Sequence, residues 1–302
     1  MDPLACPDPL AERRYAYARA AAAEGDWRAA AEMFEQTLEL APGWAPAWAA
    51  LGEAREKLGE SPAAAAAYSA AVKADPEDRQ GAGARLAQLQ SRHVEALPPA
   101  YVARLFDDYA PRFDRHLTET LGYRGPELIL AALDALAPGR RFALALDLGC
   151  GSGLAGRALR GRVERLEGVD ISPGMIARAK ETGVYDELEV GDLAAYLTRR
   201  PPGGADLAIA ADAFVYLGDL TPVFAAAAKA LAPSGLLVFT IECGEAPFAL
   251  GPAMRFRHSD AHVRQAAAEA GLSVVHFAAA STRREAGADA EGRLVALAKL
   301  AR

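Results

Sequence analysis

The sequence predicts two domains of different fold class: an all-α helical repeat domain in residues 1–97 and an α/β domain in residues 98–302. The length of 302 residues suits about two domains of ordinary size. The N-terminal part contains only helix signals, and these recur every 34 residues. After Pro98 and Pro99, short apolar runs alternate with helix-length segments, which is the pattern of an open, mostly parallel sheet.

Composition and charge exclude several classes of protein. Hydrophobic residues make up 52 % of the chain and charged residues 24 %, a balance that excludes wholesale disorder. The net charge of 33 − 40 = −7 argues against non-specific nucleic-acid binding, which needs a cationic surface. No run of about 18 apolar residues lacks a charge, Pro or Gly, so no membrane span is expected.

The cysteines and the N-terminal residues indicate a compartment. Cys6, Cys150 and Cys243 lie far apart without CxxC spacing, which predicts neither a disulfide scaffold nor a metal site and fits a reducing cytoplasm. Residues 1–7 lack the basic and apolar pattern of a secretory signal. The 28 Arg against 5 Lys, with abundant Ala, are typical of a high-GC bacterium. We therefore expect a cytoplasmic bacterial protein.

The helical repeat is visible in residue pairs that lie 34 positions apart. These pairs are Gly25 and Gly59, Ala30 and Ala64, Phe34 and Tyr68, and Pro42 and Pro76. Small residues let paired helices approach closely, the glycines make the turns, and the prolines end the second helix of each unit. The pattern resembles the tetratricopeptide repeat, with units at about 11–44 and 45–78. Two units leave an apolar face uncovered, so we expect a capping helix over 83–97.

The second domain is expected to contain a seven-stranded sheet. The candidate strands are Ala143–Leu148, Arg165–Asp170, Glu187–Gly191, Asp206–Ala211, Gly235–Glu242, Ser273–Phe277 and Arg293–Lys299. The last two are separated by a polar stretch, Ala280–Gly292, in place of a helix. We therefore predict that the last strand is antiparallel and joined to its neighbour by a hairpin at the sheet edge.

A glycine-rich turn follows the first of these strands and opens a helix. Its residues Gly151, Gly153 and Gly156 spell GxGxxG, and Asp170 lies 19 residues after Gly151. This spacing is that of a dinucleotide-binding turn with a ribose-binding acid. Taken alone, the motif is weak.

A second interpretation of the same turn is Asp-x-Gly-x-Gly-x-Gly, formed by Asp147, Gly149, Gly151 and Gly153. An acidic side chain beside a pyrophosphate is unfavourable, whereas beside a cationic sulfonium and ammonium it is favourable. The pattern resembles the class I S-adenosylmethionine-dependent methyltransferases, which have a Rossmann-like fold. The sign of the charge favours this second interpretation.

The resemblance implies a cofactor role for residues at the ends of successive strands. Asp147 would orient the methionine ammonium, and the glycine turn would accommodate the amino-acid part of the cofactor. Asp170 would accept hydrogen bonds from both ribose hydroxyls, and Asp192 would accept one from the adenine amino group. The remaining positions implied by the resemblance are Ile171, Met175, Leu193 and Ala211 for the cofactor and Tyr216 for the substrate.

Residues 101–124 are rich in aromatic and acidic side chains. They resemble the opening helix of a bacterial subgroup that joins tetratricopeptide repeats to a methyltransferase domain. In many relatives this segment folds over the cofactor as a lid that excludes water. The resemblance implies that Tyr109 and Phe113 contact the cofactor. Aromatic residues at a four-residue spacing are equally compatible with a plain helix core.

Methyl transfer needs alignment more than acid–base chemistry, and a base only where the acceptor arrives protonated. His116 and His258 are the candidate bases, because histidine titrates near neutrality. Surface or hydrogen-bonded histidines are the alternative for both. Asp212, after the fourth strand, is either a substrate-side base or a cap of the next helix, and the cap is favoured.

Residues 243–257 lack regular periodicity and follow the fifth strand, where substrate loops often lie in this fold. Arg255 and Arg257 stand there beside apolar side chains. We expect an acceptor with an apolar body and an acid group held by these arginines. Two solvated loop arginines are the alternative.

The sequence thus predicts an enzyme that moves a methyl group from S-adenosylmethionine to an O or N atom of a small molecule. A protein methyltransferase that recruits its substrate through the repeats is one alternative, and a non-catalytic cofactor-binding interaction protein is another. The repeats are also candidates for self-association. Neither a nucleic acid nor a membrane is an expected partner, and no metal site is predicted.

Overall fold

The computed structural model describes residues 4–285 and 288–300 of the chain. The expectation about the N-terminal pattern falls partly on residues 1–3, and the expected hairpin includes residues 286–287, which lie outside the described residues. The chain divides into two compact units, Met1–Tyr101 and Val102–Arg302.

The first unit consists of α-helices joined by short turns. They are α1 (Pro9–Ala23), α2 (Trp27–Leu40), α3 (Ala45–Lys57), α4 (Ser61–Ala74) and α5 (Ala82–Leu89). Asp8 and Asp26 cap the starts of α1 and α2 by accepting hydrogen bonds from backbone N–H groups. Gly25 and Gly59 have φ of 84° and 76°, so a glycine ends the first helix of each pair.

The helix that follows the second repeat is shorter than predicted. The cap expected over 83–97 ends as a helix at Leu89, because Ser91 adopts a left-handed φ of 52°. The N–H groups of Ser91 and Arg92 bond back to the carbonyls of Gln88 and Ala87, which closes the helix end.

The second unit opens with helical segments. α6 (Pro99–Tyr109) spans the boundary between the two units. A short turn at Ala110–Arg112, α7 (Phe113–Arg115) and a π-helical turn at His116–Thr120 follow it. The remaining helices are α8 (Gly125–Leu136), α9 (Leu154–Leu159), α10 (Pro173–Glu181), α11 (Leu193–Arg199), α12 (Thr221–Ala230) and α13 (Asp260–Glu269).

These helices alternate with the strands of one large sheet. The strands are β1 (Phe142–Leu148), β2 (Val163–Asp170), β3 (Glu187–Val190), β4 (Ala205–Ala210), β5 (Leu231–Cys243), β6 (Phe248–Leu250), β7 (Phe256–His258), β8 (Leu272–Ala280) and β11 (Gly292–Lys299). A separate short pair consists of β9 (Arg284–Glu285) and β10 (Ala288–Asp289).

The strand order is β3-β2-β1-β4-β5-β11-β8, with β1 to β5 parallel and β11 antiparallel to both of its neighbours. This confirms the predicted fold class, helical repeats followed by a Rossmann-like domain whose last strand is antiparallel. The segment expected to be irregular also forms β6 and β7, which pair beside the end of β5. Three-residue strands are too short to show a periodicity in sequence.

Alternate residues of the strands feed two apolar clusters, one on each face of the sheet. In β4, for example, Ala208 and Ala210 belong to one cluster, and Leu207 and Ile209 belong to the other. Because both faces are covered, the open place for a ligand is the edge where the parallel strands end.

The close packing of α3 on α4 gives a test of the repeat domain. A Cβ on Gly52 would lie 2.5 Å from the ring of Tyr68, which is itself buried. We expect Gly52→Ala to lower the free energy of unfolding by about 1–3 kcal/mol, because overpacking outweighs the helix propensity gained. Urea unfolding measures the change.

Gly43→Ala is the matched control, since a Cβ at Gly43 meets nothing within 4 Å. Equal stability of the two variants would contradict the close approach at Gly52.

Candidate active site

The glycine-rich turn links β1 to α9 and needs glycine for conformational reasons. Gly149, Gly151 and Gly153 have φ of 72°, 53° and 92°, a region that side chains disfavour. A Cβ on Gly149 would also lie 2.5 Å from the Cβ of Ala213, so the turn lies directly against the segment after β4. The turn thus leaves its backbone open to a ligand.

Asp147 is a buried carboxyl group at the end of β1, with 1 % of its surface exposed. Its Oδ2 accepts a hydrogen bond of 2.7 Å from the Tyr185 hydroxyl, and its Oδ1 has no partner among the described residues. Burial raises the pKa of Asp147 to about 7, against the lowering effect of the Tyr185 bond. An unsatisfied buried carboxylate oxygen suits a cationic ligand group.

Asp170 ends β2 and ties the glycine turn to the next helix. Its Oδ2 accepts from the N–H of Gly151 at 2.8 Å, and its Oδ1 accepts from the N–H of Ser172 at 2.9 Å. Burial raises the pKa of Asp170 to about 6. Each carboxylate oxygen retains capacity for a second donor such as a ligand hydroxyl.

The other predicted cofactor residues differ in accessibility. Asp192 is exposed and caps α11 by accepting from the N–H of Ala195 at 2.8 Å. Leu193 and Ile171 are half-buried. Met175 is 0 % exposed, so its side chain offers no surface to an adenosine and packs in the interior instead. The predicted contact of Met175 with the cofactor therefore finds no support in the structure.

Gly156, the last glycine of the GxGxxG reading, has a packing role. A Cβ at this position in α9 would overlap the hydroxyl of Tyr185. Gly156 therefore makes room for the tyrosine that holds Asp147. Sequence reasoning missed Tyr185, because it lies in a loop between α10 and β3 and belongs to no motif.

Aromatic side chains of residues 106–113 line the site as a wall. The ring of Phe113 lies against Gly151, 3.6 Å from where a Cβ would stand. Phe113 contacts Tyr109 edge to face at 5.0 Å between ring centroids, and Phe106 at 6.2 Å. Phe106 in turn lies 5.2 Å from Tyr216. The structure thus brings the aromatic residues of this segment together with the predicted substrate residue Tyr216. Ala211, at the end of β4, is half-buried.

Two carboxylates anchor this lid segment to the helices that follow β1 and β2. Asp107 Oδ1 accepts from the Ser172 hydroxyl at 2.5 Å and from the Gly174 N–H at 2.8 Å. Asp114 accepts from the hydroxyl of Ser152 and lies 3.5 Å from Arg178. Sequence reasoning missed both anchors, because acidic residues on an amphipathic helix look like a solvated face.

The two candidate histidines have different surroundings. His116 is half-buried, and its Nδ1 is hydrogen-bonded to the Tyr109 hydroxyl. His258 is 0 % exposed, and its Nε2 contacts the carbonyls of Leu217 and Gly218 at 3.0 and 2.9 Å. Burial lowers the pKa of His258 to about 4. A buried, neutral imidazole that donates to backbone carbonyls is unsuited to act as a base, so the structure disfavours His258 in that role.

The favoured interpretation of Asp212 as a helix cap is wrong. The next helical turn, Phe214–Tyr216, receives no side-chain cap. Asp212 Oδ2 instead accepts from Arg283 Nη1 at 2.8 Å and from the Thr282 hydroxyl at 2.9 Å, and its Oδ1 accepts from the Thr240 hydroxyl at 3.0 Å. The physical reason is that a buried arginine 71 residues away supplies a stronger partner than a free N–H.

The predicted substrate arginines lie beside Glu242 at the end of β5. Arg255 Nε donates to Glu242 at 2.6 Å, and Arg283 binds the same carboxylate. Arg257 is 3.7 Å from Glu242 and 55 % exposed in its side chain. The charge of Arg255 is thus already balanced, and Arg257 is the more accessible of the two.

Tyr123 is influenced by two of the site's carboxylates. Burial raises the pKa of Tyr123 well above its usual value, and the charges of Asp212 and Asp147 raise it further, while Arg283 opposes them.

Within residues 4–285 and 288–300, no helix has the length and apolar character to cross a membrane. Over the same residues, His, Cys, Asp and Glu side chains form no group of three placed to hold a metal ion.

Two family models match the chain. Residues 145–235 match a methyltransferase domain, and residues 21–89 match a tetratricopeptide repeat. The chain therefore carries tetratricopeptide repeats followed by a methyltransferase domain, as the sequence resemblance predicted.

The chain is also similar to two curated relatives. It is 38 % identical over 103 residues to methyltransferase-like protein 27 of Homo sapiens, covering 33 % of this chain and 42 % of that protein. It is 31 % identical over 115 residues to the malonyl-(acyl-carrier protein) O-methyltransferase of Salmonella typhimurium, covering 37 % of this chain and 44 % of that protein. The chain thus spans less than half the length of either relative.

A solved structure has a similar fold. It is the 1,6-didemethyltoxoflavin-N1-methyltransferase of Burkholderia thailandensis, determined with 1,6-didemethyltoxoflavin and S-adenosylhomocysteine bound. The TM-score is 0.53 at 17 % identity, over 70 % of this chain and 95 % of that chain. At this identity the likeness concerns the fold alone.

The buried Asp147 predicts a pH dependence of stability. From about pH 4 to about pH 7 the native protein holds a proton that the unfolded chain, with a carboxyl pKa of 3.8, has released. The ligand-free protein therefore loses stability as the pH rises through this window, by at most about 1.4 kcal/mol per pH unit for one group. We expect Asp147→Asn to lack this contribution in urea unfolding.

Asp134→Asn, on the exposed surface of α8, is the control and should keep the wild-type slope. A difference between wild type and Asp147→Asn that does not change with pH would contradict the raised pKa.

The anchors of the lid predict its local stability. Asp114→Asn weakens the bond to Ser152 and the ion pair with Arg178, so we expect roughly tenfold faster amide hydrogen exchange across residues 106–120. Glu119→Gln alters an exposed carboxylate in the same segment and serves as the control. Equal exchange in both variants would mean that Asp114 does not anchor the segment.

Proposed function

We propose that this chain binds S-adenosylmethionine at the carboxyl edge of its sheet and transfers the methyl group to an O or N atom of a small-molecule acceptor. The observation that carries the proposal is the buried carboxylate of Asp147, whose Oδ1 has no partner among the described residues. A dinucleotide would bring a repelled pyrophosphate to this carboxylate, whereas the cofactor's ammonium would satisfy it.

Each part of the cofactor has a matching group in this proposal. Asp147 and the glycine turn hold the amino-acid part, because Gly149 and Gly151 leave the backbone accessible. Asp170 takes the ribose hydroxyls on its remaining acceptor positions. Asp192 and Leu193, at the end of β3, take the adenine. When bound, the cofactor supplies an electrophilic methyl group on a sulfonium.

The chain's own residues align the reactants and exclude water. Phe113 covers the glycine turn, and Phe106 and Tyr216 extend the apolar wall toward the end of β4. A dry, shaped site accelerates a displacement mainly by positioning the nucleophile. His116, joined to Tyr109, is the proposed base for an acceptor that arrives protonated.

The nature of the acceptor is proposed from the aromatic wall of this chain and from the names of its relatives. One curated relative is named an O-methyltransferase, and the structural neighbour is named an N1-methyltransferase, so both atom types stay within the proposal. A wall of aromatic rings suits a small apolar acceptor. Arg257 is the accessible cation for an acid group on the same acceptor.

The repeats are proposed to have a structural or self-association role, since two units offer only a short groove. Recruitment of a protein substrate is the alternative, which binding of a partner by the full chain would reveal. Cys6, Cys150 and Cys243 are free thiols, which supports the proposed cytoplasmic location.

Calorimetric titration of the full chain with S-adenosylmethionine and S-adenosylhomocysteine tests the proposal. We expect micromolar binding of both and none of NAD or NADP. Asp170→Ala should lower the affinity at least tenfold, because the ribose loses its acceptor and the glycine turn loses a bond.

Asp134→Ala is the control variant, since Asp134 pairs with Arg162 at the surface of α8 and should leave binding unchanged. Binding of NAD in place of the sulfur ligands would favour the dinucleotide interpretation of the turn. Failure to bind any of the four would leave the interaction-protein hypothesis.

A further inference from the structure

We infer that Asp212 stands at the acceptor position and receives a hydrogen bond from the nucleophile, so that the acceptor reacts through an N–H or O–H group and not through a carboxylate. This inference rests on the proposed function and specifies the substrate class of the same site.

The position of Asp212 follows from the sheet. β4 lies beside β1 in parallel register, with Ile209 opposite Asp147. Asp212 stands three residues beyond Ile209, at the edge where the glycine turn begins. Ala213, the next residue, lies against Gly149 of that turn. Asp212 therefore borders the glycine turn from the strand next to β1.

The electrostatics of Tyr123 agree with this placement. The charges of Asp212 and Asp147 both raise the pKa of its hydroxyl, and Arg283 opposes them.

The carboxylate of Asp212 is rigidly oriented. The hydroxyls of Thr240 and Thr282 and the guanidinium of Arg283 all donate to it. Thr240 is 0 % exposed and Arg283 is 6 % exposed, whereas 19 % of the Asp212 side chain is accessible. Oδ1 accepts a single one of these bonds, so it retains capacity for one from a ligand.

The backbone of Asp212 is strained. Its φ is 56°, a left-handed conformation that a non-glycine residue adopts at a free-energy cost of about 1 kcal/mol. The bonds to Thr240 and Arg283 hold the residue in this conformation.

The hydrogen-bonding capacity of Asp212 decides which nucleophile fits. Its Oδ1 offers lone pairs and no hydrogen, so an N–H or O–H group can donate to it. A carboxylate nucleophile has no hydrogen to donate there. The aromatic wall of Phe106, Phe113 and Tyr216 suits an apolar body that carries this group.

The step balances with these groups. A lone pair on the acceptor's N or O forms the bond to the methyl carbon, and the carbon–sulfur bond breaks with its electron pair left on sulfur. In this step Asp212, in place of His116, accepts the proton of the N–H or O–H group and then releases it to water. The products are the methylated acceptor, S-adenosylhomocysteine and one proton.

A pair of cofactor analogues tests the inference without a known acceptor. Sinefungin carries an amine in place of the sulfur-bound methyl group, whereas S-adenosylhomocysteine carries nothing there. If Asp212 faces that position, its carboxylate binds the amine. We expect the full chain to bind sinefungin at least as tightly as S-adenosylhomocysteine in calorimetry.

Asp212→Asn should lower the affinity for sinefungin about tenfold or more and change that for S-adenosylhomocysteine less than about twofold. Asparagine tolerates the left-handed backbone, so the fold at this position is retained. Asp134→Asn is the control, because Asp134 pairs with Arg162 on the exposed surface of α8 and lies outside the site. It should keep the wild-type ratio of the two affinities.

Three results separate the inference from the proposed function. Wild-type protein that binds S-adenosylhomocysteine but holds sinefungin much more weakly would overturn the inference and leave the proposed function standing. An equal loss of both ligands in Asp212→Asn, or no loss of either, would also overturn it. Failure of the wild-type protein to bind either ligand would overturn the proposed function itself.

Discussion

The second unit depends on one unfavourable arrangement, the burial of carboxyl groups at the ends of β1 and β2. Asp147 is 1 % exposed with one oxygen unpaired among the described residues, and Asp170 is 8 % exposed. Burial without full pairing opposes folding, so the apolar clusters on both faces of the sheet must offset it. The hydrogen bond from Tyr185, for which Gly156 leaves space, reduces this free-energy cost without removing it. A cationic ligand group that pairs with Asp147 would reduce the cost further.

The sequence predicted the features that short-range geometry determines. The glycine turn, the carboxyl group at the end of each early strand and the alternation of strands with helices follow from local patterns, because a tight turn needs glycine and parallel strands end at one edge. The 34-residue helical period was visible for the same reason. The cofactor contacts of Tyr109 and Phe113 were implied by the family resemblance and not by their spacing, and they stay a prediction; the two rings do contact each other edge to face.

The features that the sequence did not predict depend on partners far apart in the chain. Asp212 and Arg283 are separated by 71 positions, and no local pattern distinguishes a carboxylate that binds an arginine from one that caps a helix. Tyr185 lies in a loop, and only the folded chain brings its hydroxyl to Asp147. His258 was a candidate base because histidine titrates near neutrality. Its burial follows from the pairing of β7 with β5, which the sequence does not show. Each case is settled by tertiary packing and not by local preference.

The position of β11 between β5 and β8 has a consequence for biosynthesis. β8 has β11 as its neighbour in the sheet, and backbone bonds join Thr282 to Arg124 and Arg284 to Leu121 across the lid's end. A ribosome releases β11 after every other strand described here, so the nascent chain holds an unpaired β8 until β11 emerges. The sheet is therefore completed only at that point, and until then aggregation competes with insertion of that strand.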